Sequence, residues 1–125
     1  MHPMRRHVTI DIPAPCDFIN ANSRSHRMAQ AKLTRTWRQA AAAAAHGIPT
    51  FTNKVHITAH IFKPRAGRFD PNNLAGTSKA CVDGLVDAGL LVDDSLEYVI
   101  GPDHRYGGKG NPEIVLEIIE IGELE

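Results

Sequence analysis

The stretch Lys54–Lys63 constrains the fold of this chain more than any other segment, because polar and apolar residues alternate from Lys54 to Ile61. Strict alternation is typical of a β-strand with one face buried and the other exposed. The polar residues on one face are His56, Thr58 and His60. The apolar residues on the other face, which we expect to be buried, are Val55, Ile57, Ala59 and Ile61.

Further patterns predict two helices and three more strands around this one. The predicted order is a strand at 6–12, a helix at 28–46, the strand at 54–63, a helix at 77–88 and strands at 97–101 and 113–121. Leu33 and Trp37 share one face of the first helix, and its alanine run 40–45 favours a slim face packed close to a sheet. Gly47 and Gly89 are expected to end the two helices.

The glycine-rich segment 107–112 lies between the last two predicted strands. It lacks the order of residues found in phosphate-binding loops, and it precedes a strand instead of a helix. We therefore predict a hairpin tip, with Lys109 placed to touch a phosphate. The order β-α-β-α-β-β over residues 1–125 predicts a single α+β domain with a four-stranded mixed sheet and two helices.

The composition is that of a globular protein. Hydrophobic residues make up 42% of the 125 residues and charged residues 22%, which excludes a wholly disordered chain. No apolar run approaches the ~18 residues of a membrane-spanning helix, and no apolar leader follows Met1, so we expect a cytoplasmic protein without a membrane partner. Cys16 and Cys81 are too few for a disulfide framework or a four-thiolate zinc site.

The net charge of zero argues against an indiscriminate nucleic-acid binder, but the charge is unevenly distributed. Residues 1–69 carry eleven Lys and Arg against two acids, a net of +9, whereas residues 70–125 carry three against twelve, a net of −9. One interpretation is that folding mixes these charges into ordinary ion pairs. The other is a basic surface beside an acidic pocket, which suits an enzyme that binds phosphates and a divalent metal.

The histidines and cysteines have structural interpretations as well as functional ones. His56 and His60 have the spacing of a zinc site on a helix, but on a strand they would lie ~13 Å apart, too far to share an ion. Cys81 lies on the apolar face of the second predicted helix, and Cys16 has no sequence neighbour that would lower its pKa. We expect no zinc here and structural roles for both cysteines.

Two pairs of oxygen-bearing residues flank the second predicted helix. Asp70 and Asn72 are two positions apart, so their side chains can project to the same side of an extended segment. Asp93 and Asp94 follow the helix. Hard oxygen ligands from two loops are what Mg²⁺ requires. The alternative is that the first pair starts an ordinary turn and the second opens a loop.

Lys79 falls near the start of the second predicted helix, where the helix dipole disfavours a cation. A lysine in this position makes sense beside a bound metal or a phosphate. The alternative is an ion pair with Asp83, one turn further along the helix.

These residues belong to an ordered block of motifs. The block reads Asp70-Pro71-Asn72-Asn73-Leu74, Lys79, Asp83-Gly84-Leu85, Ala88-Gly89 and Asp93-Asp94. It resembles the block that characterises the RusA-type Holliday-junction resolvases, endonucleases often found in phages and prophages. The upstream segments 18–22 and 37–40 look like the variants common in actinobacterial phages, so the resemblance covers most of the chain.

The resemblance implies an α+β fold, a homodimer, Mg²⁺ dependence and the cleavage of four-way DNA junctions in recombination and repair. By matching positions, Asp70, Asn72 and Asp94 would be catalytic metal ligands. Asp93 would be a supporting carboxylate at the metal, and Lys79 a catalytic or phosphate-contacting residue. Asn72 stands where the family has a second metal-binding aspartate, so this site has one negative charge fewer.

Basic residues of the first half are candidates for contacting the DNA backbone, a role that fixes position more than sequence. They are Arg24, Arg27, Lys32, Arg35, Lys63, Arg65 and Arg68. A two-fold dimer suits a four-way junction, which presents two equivalent strands for paired incision. Two alternatives stay open: a junction-binding protein of the same fold with weakened or lost cleavage, and a generic small α+β binding module.

Overall fold

A computed structural model of the chain describes residues 5–21, 27–65 and 69–122. The elements in chain order are β1 (His7–Pro13), α1 (Arg27–Ala45), β2 (Lys54–Lys63), a 3₁₀ turn (Pro71–Leu74), α2 (Ala75–Asp87), β3 (Val99–Lys109) and β4 (Glu113–Gly122). This order confirms the predicted α+β class. The four strands form one mixed sheet in the order β1-β4-β2-β3, in which β4 is antiparallel to both neighbours and β3 is parallel to β2.

One face of the sheet is buried, and alternate residues of three strands supply it. These residues are Ile10, Ile12, Val55, Ile57, Ala59, Ile61, Ile114, Leu116 and Ile118. The burial of alternate residues confirms the two faces predicted for β2. On the opposite face, His60 Nε2 lies 3.2 Å from Glu117 Oε1 and His56 Nε2 lies 2.6 Å from Asp103 Oδ2.

The two helices approach each other closely at Gly84. A Cβ atom on Gly84 would collide with the backbone carbonyl of Arg38 and would lie 2.9 Å from the Cβ of Ala41. Ala41 is fully buried, so the alanine run provides a slim face. At Ala41 this face meets Gly84 of α2 instead of the sheet that the sequence predicts, because only a residue without a side chain lets the two helices come so close. An ion pair between Arg38 and Asp87, with N–O distances of 2.6 and 2.8 Å, also joins the helices.

The prediction of a hairpin at 107–112 is wrong. Gly107 and Lys109 belong to β3, which continues well past its predicted end at Gly101, and β2 lies between β3 and β4. Residues 110–112 instead cross over the end of β2, where the Gly110 N–H donates to the Lys63 carbonyl at 2.9 Å. Because β3 is an edge strand with many exposed residues, it lacks the alternation by which half-buried strands are recognised.

Gly47 and Gly89 follow the ends of the helices, as predicted, and each has a φ of 81°, a backbone conformation that glycine adopts without strain. Cys81 is fully buried on α2, and burial raises the pKa of its thiol to about 12. Across the part of the chain that the structure describes, no helix has the length and apolar character needed to cross a membrane.

Candidate metal and phosphate site

Asp70 caps the 3₁₀ turn that leads into α2, and Asn72 lies within this turn. Asp70 Oδ1 accepts a hydrogen bond from the backbone N–H of Asn72 at 2.9 Å and caps this turn. The turn continues directly into α2, which begins at Ala75, two residues earlier than predicted. Both side chains are exposed. The residues therefore form the turn that the sequence allows, and the Asp70 carboxylate stays at the surface, where a cation could reach it.

Lys79 joins the loop that carries Asp93 and Asp94 to α2. Its Nζ atom lies 3.1 Å from Asp83 Oδ1, the ion pair that the sequence offers as an alternative, and 2.9 Å from Asp94 Oδ2. The hydrogen bond from Lys79 lowers the pKa of Asp94, and the bonds to Asp94 and Asp83 raise the pKa of Lys79. Both groups are therefore charged at neutral pH. Asp93 Oδ1 accepts the backbone N–H of Asp94 at 2.8 Å and shapes the loop.

The turn that carries Asp70 leads into the start of α2, and the loop that carries Asp94 is bonded to the same helix through Lys79. Lys79 is the fifth residue of this helix, ~6 Å from its start at ~1.5 Å per residue. Because its Nζ atom also bonds Asp83, one turn further on, Asp94 lies beside the middle of α2. His104 lies close by, with Nε2 3.1 Å from Ser78 Oγ. Burial lowers the pKa of His104, and the charges of Asp103 and Asp70 oppose this shift.

His104 and Ser78 are candidate site residues that the sequence does not reveal. Ser78 is fully buried, and its hydroxyl connects α2 to β3 through His104. No periodic pattern marks His104, because it lies in the polar edge strand. The sequence feature that could have pointed to His104 is the polar run Asp103-His104-Arg105, which follows the short apolar stretch at the start of β3.

The oxygen donors form two groups instead of one cluster. Among the described residues, no three His, Cys, Asp or Glu side chains converge closely enough to hold a metal ion. Mg²⁺ usually binds proteins through one or two carboxylates and completes its coordination with water and substrate phosphate. The donors present here fit that pattern. Asp70, Asn72 and Asp94 are the residues that would hold the ion, with Asp93 supporting the loop.

A cavity of about 170 Å³ opens beside Asp70; we call it the Asp70 cavity. Its lining residues are Phe18, Asn20, Lys63, Phe69, Asp70, Asn73 and Leu74. Lys63 Nζ lies 4.0 Å from the centre of the Phe69 ring. Lys63 is thus a predicted DNA-contacting residue that the structure places next to a candidate metal ligand.

The other predicted DNA contacts lie elsewhere or outside the described residues. Arg27, Lys32 and Arg35 are exposed on α1 and fall within an arc of about 140° around the helix. Arg65 is exposed just after β2. The remaining two residues, Arg24 and Arg68, lie outside the described residues. The two charged halves of the chain are partly mixed, since the Arg38–Asp87 ion pair joins them.

Comparison with models of known protein families gives no match, and comparison with curated proteins gives none either.

Proposed function

We propose that this chain is a Mg²⁺-dependent endonuclease of the cytoplasm that cleaves four-way DNA junctions as a homodimer. The observation that supports this most strongly is the bond between Lys79 and Asp94, at 2.9 Å. This bond joins the acidic loop after α2 to the helix that follows the turn of Asp70 and Asn72. Carboxylate and amide oxygens from two loops, beside a lysine, are suited to a metal ion and a phosphodiester.

Each residue of the site has a role in this proposal. Mg²⁺, when bound, would lower the pKa of a coordinated water and neutralise charge on the scissile phosphate. Asp70 and Asp94 offer carboxylates and Asn72 an amide oxygen. Asp94 is suited to metal binding because its lowered pKa keeps it ionised. Lys79, which stays protonated, would stabilise negative charge that develops on the phosphate.

The surroundings of the site suit a nucleic-acid substrate. Lys63 lies beside Asp70 in the same cavity, and the exposed basic residues of α1 offer further contacts to phosphates. A homodimer would present two such sites to the two equivalent strands of a junction.

Cleavage of a synthetic four-way junction tests the proposal. We expect nicked products with Mg²⁺, none with a chelator, and a loss of about 10³-fold or more for Asp70→Asn and Asp94→Asn. Both variants should still bind the junction, because each removes a negative charge and leaves the basic residues intact. Wild-type protein that leaves the junction uncut with Mg²⁺ and with Mn²⁺ contradicts the enzyme proposal.

A junction-binding protein without cleavage is the second candidate. Asn72 favours this candidate, because the site has one carboxylate fewer than it would have with an aspartate at that position. The bond from Lys79 to Asp94 favours it too, because it already occupies an oxygen of a candidate metal ligand. Tight and selective binding of the junction with no incision under either metal ion supports this candidate. Failure to bind junction DNA even at low salt contradicts both candidates and favours a binding module of another kind.

A further inference from the structure

The Asp70 cavity is lined by aromatic and amide side chains as well as by a candidate metal ligand. Phe18 and Phe69 supply aromatic surface, and Asn20 and Asn73 supply amide groups. Aromatic rings stack on nucleobases, and side-chain amides hydrogen-bond to base edges. A cavity of about 150 Å³ binds benzene, so one of about 170 Å³ has room for one ring system and not for a base pair.

Phe18 is a rigid part of this wall. Its ring stacks on Trp37 with 5.5 Å between the ring centroids and 15° between the planes. Trp37 is fully buried, and its Nε1 donates to the backbone carbonyl of Asp17 at 2.9 Å. Because Trp37 supports the ring from behind, Phe18 is pre-organised for stacking.

The segment that carries Phe18 and Asn20 is tied to α2 and to the turn that precedes it. Thr77 Oγ1 accepts the backbone N–H of Ile19 at 2.8 Å and donates to its carbonyl at 3.1 Å. The N–H of Ala21 donates to the backbone carbonyl of Asn73 at 2.9 Å. The aromatic wall and the Asp70 turn are therefore held in a fixed relation to each other.

Another part of the lining combines an aromatic ring with a cation. Lys63 Nζ lies 4.0 Å from the centre of the Phe69 ring. Tyr106 packs edge-on against the same ring, with 5.3 Å between the two ring centroids. Lysine has a flexible stem, so the amine can move from the ring to a nearby phosphate. Such a movement would uncover the face of Phe69 while neutralising backbone charge.

We propose that the Asp70 cavity receives one unpaired nucleobase of the DNA, next to the phosphate that a metal ion at Asp70 would bind. This step rests on the function proposed above, because that function brings DNA to Asp70. Taking a base out of its stack costs least where pairing is already disturbed, as at the crossover of a junction. The cavity would thus select a disturbed site and would discriminate among the bases at that position.

Junctions with a single abasic residue at each position around the crossover test this inference. We expect one position, next to the cleaved phosphate, at which removal of the base weakens binding to wild-type protein about 10-fold, with Ca²⁺ replacing Mg²⁺. Phe18→Leu should bind the intact and abasic junctions almost equally. Asn20→Ala, which changes an exposed side chain, should reduce the 10-fold difference and alter the preferred base while its thermal unfolding stays close to that of the wild-type protein.

Phe62→Leu is the matched control, because Phe62 and Lys63 are consecutive residues of β2 and so point to opposite faces of the sheet. This variant should keep the full difference between intact and abasic junctions. Wild-type protein that cleaves junctions but is indifferent to every abasic position overturns the inference and leaves the proposed function standing. Wild-type protein that neither binds nor cleaves junctions overturns both.

Discussion

Asn72 is the residue whose side chain bears most directly on metal binding. It lies beside Asp70 in the 3₁₀ turn and offers a neutral amide oxygen. The affinity of a Mg²⁺ site depends on the charge of its ligands. We expect Asn72→Asp to lower the Mg²⁺ concentration that gives half-maximal junction cleavage, by roughly 10-fold. A Mg²⁺ titration of the initial cleavage rate measures this change.

Asn53→Asp is the control for Asn72→Asp, since it adds the same charge just before β2. Asn53 lies at the end of β2 opposite to Lys63, ~30 Å along the strand. Its replacement should leave the Mg²⁺ requirement unchanged. If both variants shift this requirement equally, net charge is responsible and Asn72 is not a ligand.

Lys79 links stability and pH at this site. Its bond to Asp94 lowers the pKa of that carboxyl, so the stabilisation is present above the ordinary pKa of Asp and is lost as pH falls through the lowered value. We expect Lys79→Met to lower Tm at neutral pH by only a few degrees. The loss is small because the Lys79–Asp94 pair is partly exposed to solvent. Thermal unfolding from neutral to acidic pH should show the two Tm values converging.

The catalytic role proposed for Lys79 predicts a larger effect on cleavage than on stability. Lys79→Met should reduce the cleavage rate by about 10²- to 10³-fold, the usual loss when a donor to developing charge is removed. Lys79→Arg keeps the charge and should retain more activity and most of the pH-dependent stability. Cleavage by Lys79→Met at the wild-type rate would show that this residue has only a structural role.

At the scale of elements, buried segments could be predicted from the sequence and exposed ones could not. The bounds of β2 follow from its alternation, because its side chains are half in a core and half outside it. The extent of β3 could not be inferred, because an edge strand has few apolar contacts to select its residues. The prediction of a hairpin at 107–112 is wrong for a different reason. β3 and β4 are consecutive in the sequence, and nothing in the sequence indicates that β2 lies between them in the sheet.

At the candidate site, the sequence predicts residues that are close in the chain but not the contacts that packing creates. Asp70, Asn72 and the pair Asp93-Asp94 could be identified because their local spacing suits oxygen ligation. The contact between Lys79 and Asp94 could not be predicted, because it depends on how the loop after α2 folds back. The bond between Ser78 and His104 likewise depends on packing between α2 and β3.

The crossing of α1 and α2 gives a prediction about packing. In an isolated helix, Gly→Ala stabilises by roughly 1 kcal/mol. At Gly84 a Cβ atom would collide with the Arg38 carbonyl and crowd Ala41, so the helices would have to separate. We expect Gly84→Ala to destabilise the protein by about 1–3 kcal/mol, as measured by urea unfolding.

Gly76→Ala in the same helix is the matched comparison. Gly76 is exposed, and a Cβ atom there would meet Cγ2 of Ile19 at 3.1 Å, a side-chain methyl that can shift. The free energy of unfolding should therefore change much less than for Gly84→Ala. Equal effects of the two substitutions would mean that the helix crossing is not the cause.

For the whole molecule, the separation of charge along the chain is the property that bears on DNA binding. A neutral protein can bind DNA if its cations gather on one surface, and each phosphate contact then contributes to the salt dependence of binding. Lys63 lies at the Asp70 cavity, whereas Lys54 occupies the opposite end of the same strand, ~30 Å away. The two lysines therefore offer a matched pair for locating the DNA.

We expect Lys63→Gln to weaken junction binding and to reduce the slope of log K against log salt concentration by about 1, the contribution of one phosphate contact. Lys54→Gln removes the same charge and should leave the slope unchanged. Equilibrium binding at a series of salt concentrations measures both. If the variants behave alike, the DNA does not pass over the Asp70 end of β2, and the candidate metal ligands lie away from its path.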